Sequence, residues 1–79
     1  MAQRQKRVLD ADDLTDADHK ILDTLAEGAR TKGYITDTTG LHRNTVANRL
    51  NVLRAGDAIR RIHEATALYE LTEDPRDDD

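Results

Sequence analysis

The chain contains no cysteine, phenylalanine or tryptophan, a single proline, and only two tyrosines among its 79 residues. Without cysteine there is no disulfide, no thiolate nucleophile and no cysteine-ligated zinc. The three histidines, His19, His42 and His63, stand 23 and 21 positions apart and form no HxH or HxxxH pair, so no metal site is expected. No apolar run approaches the ~20 residues that cross a bilayer, and no signal-peptide apolar stretch opens the chain. The expectation is a cytoplasmic protein with no membrane partner. A chain this short makes one small domain, which buries only ~60% of its unfolded surface. A separate ligand-sensing domain has no room, so neither a cofactor nor a small-molecule effector is expected. Nor is an enzyme, for the sequence offers no nucleophile–base pair, no phosphate loop and no paired carboxylates on an ordered element.

What is present is charge. Aspartate outnumbers glutamate 12 to 4, arginine outnumbers lysine 9 to 3, and threonine occurs nine times. Solubility alone does not require so much aspartate with so little lysine. The bias fits a salt-accumulating archaeal cytoplasm, where carboxylates hold water and hydrated cations, although an ordinary acidic mesophilic protein is the alternative. Net charge is −4, but it is unevenly spread. Residues 1–14 are neutral, 15–28 carry −3, 29–62 carry +5 and 63–79 carry −6. Local potential, rather than net charge, decides whether a polyanion is attracted.

Residues 1–14 read as a flexible arm, residues 15–72 as the folded domain, and residues 73–79, with Pro75 and three final aspartates, as an acidic disordered tail. Thr15 offers an N-cap with Asp18 three residues on, in the manner of a capping box. Ala17, Ile21, Leu22 and Leu25 follow at helical spacing, and Gly28 marks the stop, so a helix is expected over about 16–27. Ala29–Thr31 is short and extended. Thr31 caps a second helix over about 32–39 with Ile35 inward, weak in propensity because of Gly33, Thr36, Thr38 and Thr39. Gly40 ends it, Leu41 plugs a tight turn, and His42 stands at the N-cap of a third helix over about 43–55. Val46, Leu50 and Leu53 form that helix's apolar face, and Gly56 marks its end. The period then changes: strands of about 58–62 and 67–71 are joined by His63-Glu64-Ala65-Thr66. The expected class is mainly α with a small β-hairpin (α+β): a winged helix-turn-helix of three helices and a two- to three-stranded wing.

At 100° per residue, Asn44, Asn48, Asn51 and Ala55 lie opposite Val46, Leu50 and Leu53 on the third helix. Three aligned asparagines make a poor helix, whereas asparagine pairs bidentately with adenine N6 and N7 in the major groove. A solvated helix face is the alternative. Arg43, Asn44, Ala47, Asn48 and Asn51 are therefore the candidate base contacts, with Arg43 suited to guanine. Arg30, Lys32, Thr45, Arg49, Arg54, Arg60 and Arg61 are the candidate contacts to the DNA backbone, Arg49 being divided between packing and phosphate.

The stretch GLHRNTVANRLNVLRAGDAIRR resembles the helix-turn-helix and first wing strand of archaeal and bacterial winged-helix transcription regulators. Thr45-Val46, Arg49-Leu50, Leu53, Gly56 and Ile59 occupy the places of that family's core motif. The ending LYELTEDPRDDD is similar to the close of short haloarchaeal repressor-like proteins, including those of halophilic phages. The likeness covers about residues 15–75 and implies a DNA-binding regulator, a repressor by the second resemblance. Two features depart from it. The wing turn lacks glycine and carries Glu64, which disfavours insertion beside phosphates, and strand alternation lets only one of Arg60 and Arg61 reach DNA. His63 reads as an exposed turn residue.

Two functions follow: a sequence-specific double-stranded-DNA-binding transcriptional regulator, or a winged-helix protein–protein interaction module that does not bind DNA. The basic middle stretch favours the first. One recognition helix reads one half-site, so a homodimer reading two half-sites ~10 bp apart, or a multiple of that, is expected. Val8, Leu9 and the exposed parts of the first helix are the candidate dimer surface, with Val52 and Tyr69 as further candidates. The basic arm (Arg4, Lys6, Arg7) either touches DNA or stays in solvent.

Overall fold

The computed structural model describes Leu9, residues 11–63 and residues 67–76. A short 3-10 turn, Ala11–Asp13, leads into α1 (Asp16–Ala26), β1 (Arg30–Thr31), α2 (Lys32–Thr39), α3 (Arg43–Ala55), β2 (Ile59–His63) and β3 (Leu68–Leu71). The three strands form one antiparallel sheet in the order β1-β3-β2. Among the described residues the fold class is α+β, with three α-helices on a three-stranded sheet. Arg4, Lys6, Arg7 and Val8 of the expected arm, residues 64–66 of the expected 63–66 turn and residues 77–79 of the expected 73–79 tail lie outside the described residues. Among the described residues no helix is long and apolar enough to cross a membrane.

The helices start where polar side chains replace missing backbone partners. At α1 the capping box is complete: the Asp18 N–H donates to Thr15 Oγ1 (3.2 Å) and the Thr15 N–H to Asp18 Oδ2 (3.0 Å). Thr31 Oγ1 accepts from the Tyr34 N–H (3.1 Å) at α2. The threonines that weaken α2 by propensity are accommodated by back-bonding, Thr36 Oγ1 to the Lys32 carbonyl and Thr39 Oγ1 to the Ile35 carbonyl. Gly40 ends α2 in the left-handed region (φ 73°), which glycine enters without a Cβ penalty.

Gly56 is the C-cap of α3, as expected. The left-handed position is Asp57 (φ 62°), not Gly56. The Asp57 N–H donates to the Arg54 carbonyl and the Ala58 N–H to the Leu53 carbonyl, the two bonds of a Schellman motif. Gly56 is needed for close approach instead, since a Cβ there would stand 2.7 Å from Leu9 Cβ. Adjacent substitutions therefore have opposite signs. Asp57→Gly is expected to stabilise by ~0.5–1 kcal/mol through relief of left-handed strain. Gly56→Ala is expected to destabilise by ~1–3 kcal/mol through overpacking. Urea unfolding of the two variants checks the pair, and a stabilised Gly56→Ala would contradict it.

Ile21, Leu22 and Leu25 of α1, Ile35 of α2, and Val46, Leu50 and Leu53 of α3 meet in the core, joined by Ala58, Ile59 and Tyr69 from the sheet side. Leu9 completes this cluster. Two candidate dimer residues are thereby corrected: Leu9 and Tyr69 are buried within the domain, Leu9 in the Cβ-free notch at Gly56 and Tyr69 on the core side of β3. The ordered part of the chain also begins before residue 15. Val52 remains exposed on α3.

The C-terminal segment is likewise not wholly a solvated tail. The Thr72 and Glu73 N–H groups both donate to the Ala58 carbonyl, and Asp74 and Pro75 are buried. The Arg76 guanidinium bonds Asp74 (Nε–Oδ1 3.0 Å, Nη2–Oδ2 2.9 Å) and reaches Asp23 of α1 (Nη1–Oδ1 2.7 Å). Arg76 hydrogen bonds hold the Asp74 carboxyl below its ordinary range despite burial, and the same bonds push the guanidinium up. Residues 73–76 are thus a strap along the domain.

Candidate nucleic-acid interface

Helix α3 is oriented by two kinds of contact. Its apolar face seats Val46, Leu50 and Leu53 in the core. At the margin of that face, Arg49 Nε and Nη2 donate to Asp18 Oδ1 and Oδ2 of α1, both at 2.7 Å. This is a bidentate, charge-assisted pair in which the carboxylate is fully buried and the guanidinium side chain is 24% exposed. Asp18 serves the α1 cap and this pair together. Burial pushes its carboxyl up, but the Arg49 guanidinium and the Thr15 N–H outweigh it and hold the group below the ordinary carboxylate range.

The pair accounts for the packing half of the reading of Arg49: its Nε and Nη2 are on Asp18, so Arg49 is an orienting residue of α3. A pH dependence follows from the sign of the shift. A carboxyl whose folded-state pKa is depressed adds stability above the unfolded value of ~3.9, and loses it as pH falls through the folded value. Asp18 and Asp74 both act in this sense. The thermal midpoint is expected to stay level from neutral pH to about 4 as far as these groups govern it, and to fall below that. A steep fall already between pH 7 and 5 would assign acid sensitivity to other groups.

With α3 so held, its outward face is left to solvent. Arg43, Asn44, Asn48, Asn51 and Arg54 are exposed, and Thr45 and Ala47 are half-buried beside them. Among the described residues the amide groups of Asn44, Asn48 and Asn51 bond to no other protein group, and Arg43 and Arg54 have no carboxylate partner. The asparagine amides take no part in the hydrogen bonding of the fold among the described residues. His42, the N-cap, accepts the Asn44 N–H on Nδ1 (3.1 Å), so the exposed face begins on an ordered first turn.

The remaining candidate backbone contacts divide. Lys32 is half-buried at the start of α2, its N–H donating to the Ala67 carbonyl (2.8 Å) beyond the β1–β3 ladder. Arg30, half-buried, donates from Nη1 to the Ala29 carbonyl (2.9 Å) and lies over the exposed Tyr34 ring, 5.2 Å from its centroid. On β2, Arg60 faces Glu70 of β3 and pairs with it through Nε and Nη2, so a phosphate there must compete with a carboxylate. Arg61 stands opposite Tyr69, is exposed, and precedes a bulge between Arg61 and His63. That bulge and the strand's outer position leave Arg60, Arg61 and Ile62 all exposed, so strict alternation does not hold there.

Three contacts were not found from sequence: Asp18 with Arg49, Leu9 with Gly56, and Arg76 with Asp74 and Asp23. The first had a signal. Asp18 lies in phase with Ile21, Leu22 and Leu25, and Arg49 with Val46, Leu50 and Leu53, so opposite charges occupy core-facing positions on two helices. Comparison with protein-family models, with curated proteins and with solved structures finds no match to this chain.

Proposed function

We propose that the chain is a winged-helix, sequence-specific double-stranded-DNA-binding transcriptional regulator, a repressor, that reads the major groove with the outward face of α3. In this reading α2, the Gly40–His42 turn and α3 form the helix-turn-helix, and β2 with β3 forms the wing. The observation that carries it is the face of Asn44, Asn48 and Asn51 flanked by Arg43 and Arg54, exposed and unused by the fold. Asparagine amides present the donor and acceptor pair that adenine's major-groove edge requires, and arginine suits guanine. The +5 charge of residues 29–62 in an otherwise neutral or acidic chain supports the same surface. Arg54, Lys32 and Arg30 supply the phosphate contacts, and Arg60 and Arg61 of β2 contribute only by exchange with the groups they already engage. The protein acts as a homodimer on two half-sites in a salt-rich cytoplasm. There, counterion release adds little and uncharged amide readout retains its value.

The runner-up is a winged helix that docks a protein. Exposed Val52 and Ile62 favour it, but it leaves the asparagine face and the central basic stretch without a purpose. Selection of the purified protein on a random duplex library in molar KCl separates the two. An enriched inverted repeat supports the regulator and its dimer, and no enrichment at any salt overturns the DNA reading. On the selected duplex, Arg54→Ala is expected to weaken specific and non-specific binding alike and to reduce the salt slope by ~1. A loss confined to one base position would make Arg54 a base contact instead.

A further inference from the structure

Resting on the DNA-binding reading above, we infer that His42 is a further contact residue, donating from Nε2–H to a phosphodiester oxygen of the duplex. Its Nδ1 is already engaged as acceptor of the Asn44 N–H at 3.1 Å. An imidazole that accepts through Nδ1 carries its proton, when neutral, on Nε2, so the cap fixes the tautomer. The two ring nitrogens lie on divergent edges, which turns Nε2–H away from the first turn of α3. His42 is exposed, and among the described residues no hydrogen bond uses that nitrogen. Capping alone does not account for histidine here, because Ser, Thr, Asp and Asn cap better. What histidine adds is one outward donor of fixed direction, immediately before Arg43 and Asn44. An acceptor-only ligand matches it, and on a duplex the phosphodiester oxygens are the acceptors that recur at every step. A hydrogen bond of this kind does not require a charge on the donor, so the contact survives salt concentrations that suppress counterion release.

The two roles of the ring separate by substitution in the full chain. His42→Ser keeps an N-cap and removes the distal donor, whereas His42→Gln removes a good cap and keeps a donor amide at the position of Nε2. Thermal unfolding and fluorescence anisotropy on the selected duplex and on a scrambled one, at low and molar KCl, are the readouts. His42→Ser is expected to hold or raise the thermal midpoint yet bind both duplexes ~10-fold more weakly at either salt, the scale of one hydrogen bond to a charged acceptor. His42→Gln is expected to lower the midpoint yet bind within about threefold of the native chain below it, on the same scale. A ¹⁵N spectrum of the free native chain is expected to show Nδ1 unprotonated in the neutral ring. His42→Ser binding within twofold of native, or weakened only on the selected duplex, overturns the phosphate assignment. A native chain that binds no duplex overturns the DNA reading itself, so the two failures are distinct.

Discussion

Arg49→Met is expected to lower the stability of the domain by ~3–5 kcal/mol at neutral pH, because it leaves the Asp18 carboxylate buried without its charge partner. A 79-residue domain has on the order of 4–12 kcal/mol in total, at ~0.05–0.15 kcal/mol per residue, so the variant stands near unfolding. The reverse change, Asp18→Asn, is expected to cost less. Arg49 is 24% exposed and can turn its head to water, and an asparagine oxygen still accepts from the Thr15 N–H. The double variant, Arg49→Met with Asp18→Asn, is expected to recover much of the loss, since an uncharged pair requires no compensation. The pH response is the decisive mark. In the native chain Asp18 loses its stabilising ionised form in acid. In Arg49→Met the buried, unpartnered carboxyl has its pKa raised instead, so protonation favours the folded state and stability rises as pH falls from 7 toward 4. Denaturant midpoints across that range test this. A variant losing less than ~1 kcal/mol, with the native sign of pH dependence, would remove Arg49 from the role of orienting α3.

Asn48→Ala with Asn51→Ala is expected to move stability and binding in opposite directions. Both positions are exposed within α3, and alanine is the better helix former by roughly 0.6 kcal/mol each, so the free domain gains about 1 kcal/mol. Specific DNA affinity is expected to fall ~30-fold or more, from ~1–3 kcal/mol of discrimination per bidentate pair. Non-specific affinity stays near its native value, because no phosphate contact is touched. The comparison needs thermal unfolding of the free protein and titration of the selected and scrambled duplexes. A more stable variant that binds as the native chain does would return the asparagines to the status of a solvated face. A variant that loses both stability and binding would show that the amides serve the fold.

The local features of the fold were readable because their causes are local. Thr15 and Asp18 are three residues apart, as a capping box demands, and Val46, Leu50 and Leu53 share one face by the helical period alone. The bounds of α2 and α3 follow from Thr31, Gly40 and His42, all adjacent to what they cap. The candidate face was readable by subtraction: once the apolar stripe of α3 is turned inward, Asn44, Asn48 and Asn51 have no direction left but outward. Gly56 was readable as the end of α3, and it is the C-cap. The left-handed residue is the next one, Asp57, while Gly56 admits the close approach of Leu9.

By itself, then, the sequence determined the order of helices and strands, the capping residues, the inward stripes and the outward asparagine face. Tertiary structure alone decided which charges meet. Asp18 and Arg49 are 31 residues apart, and Arg76 and Asp23 are 53 apart. Each helix sets the phase of its own side chains, but a pair between helices also depends on how the two are packed, which no single segment encodes. The fates of Arg49, Leu9 and residues 73–76 followed from that packing. The partly buried guanidinium pairs with a buried carboxylate, the Cβ-free notch takes a leucine, and residues 73–76 are held by an arginine between two aspartates.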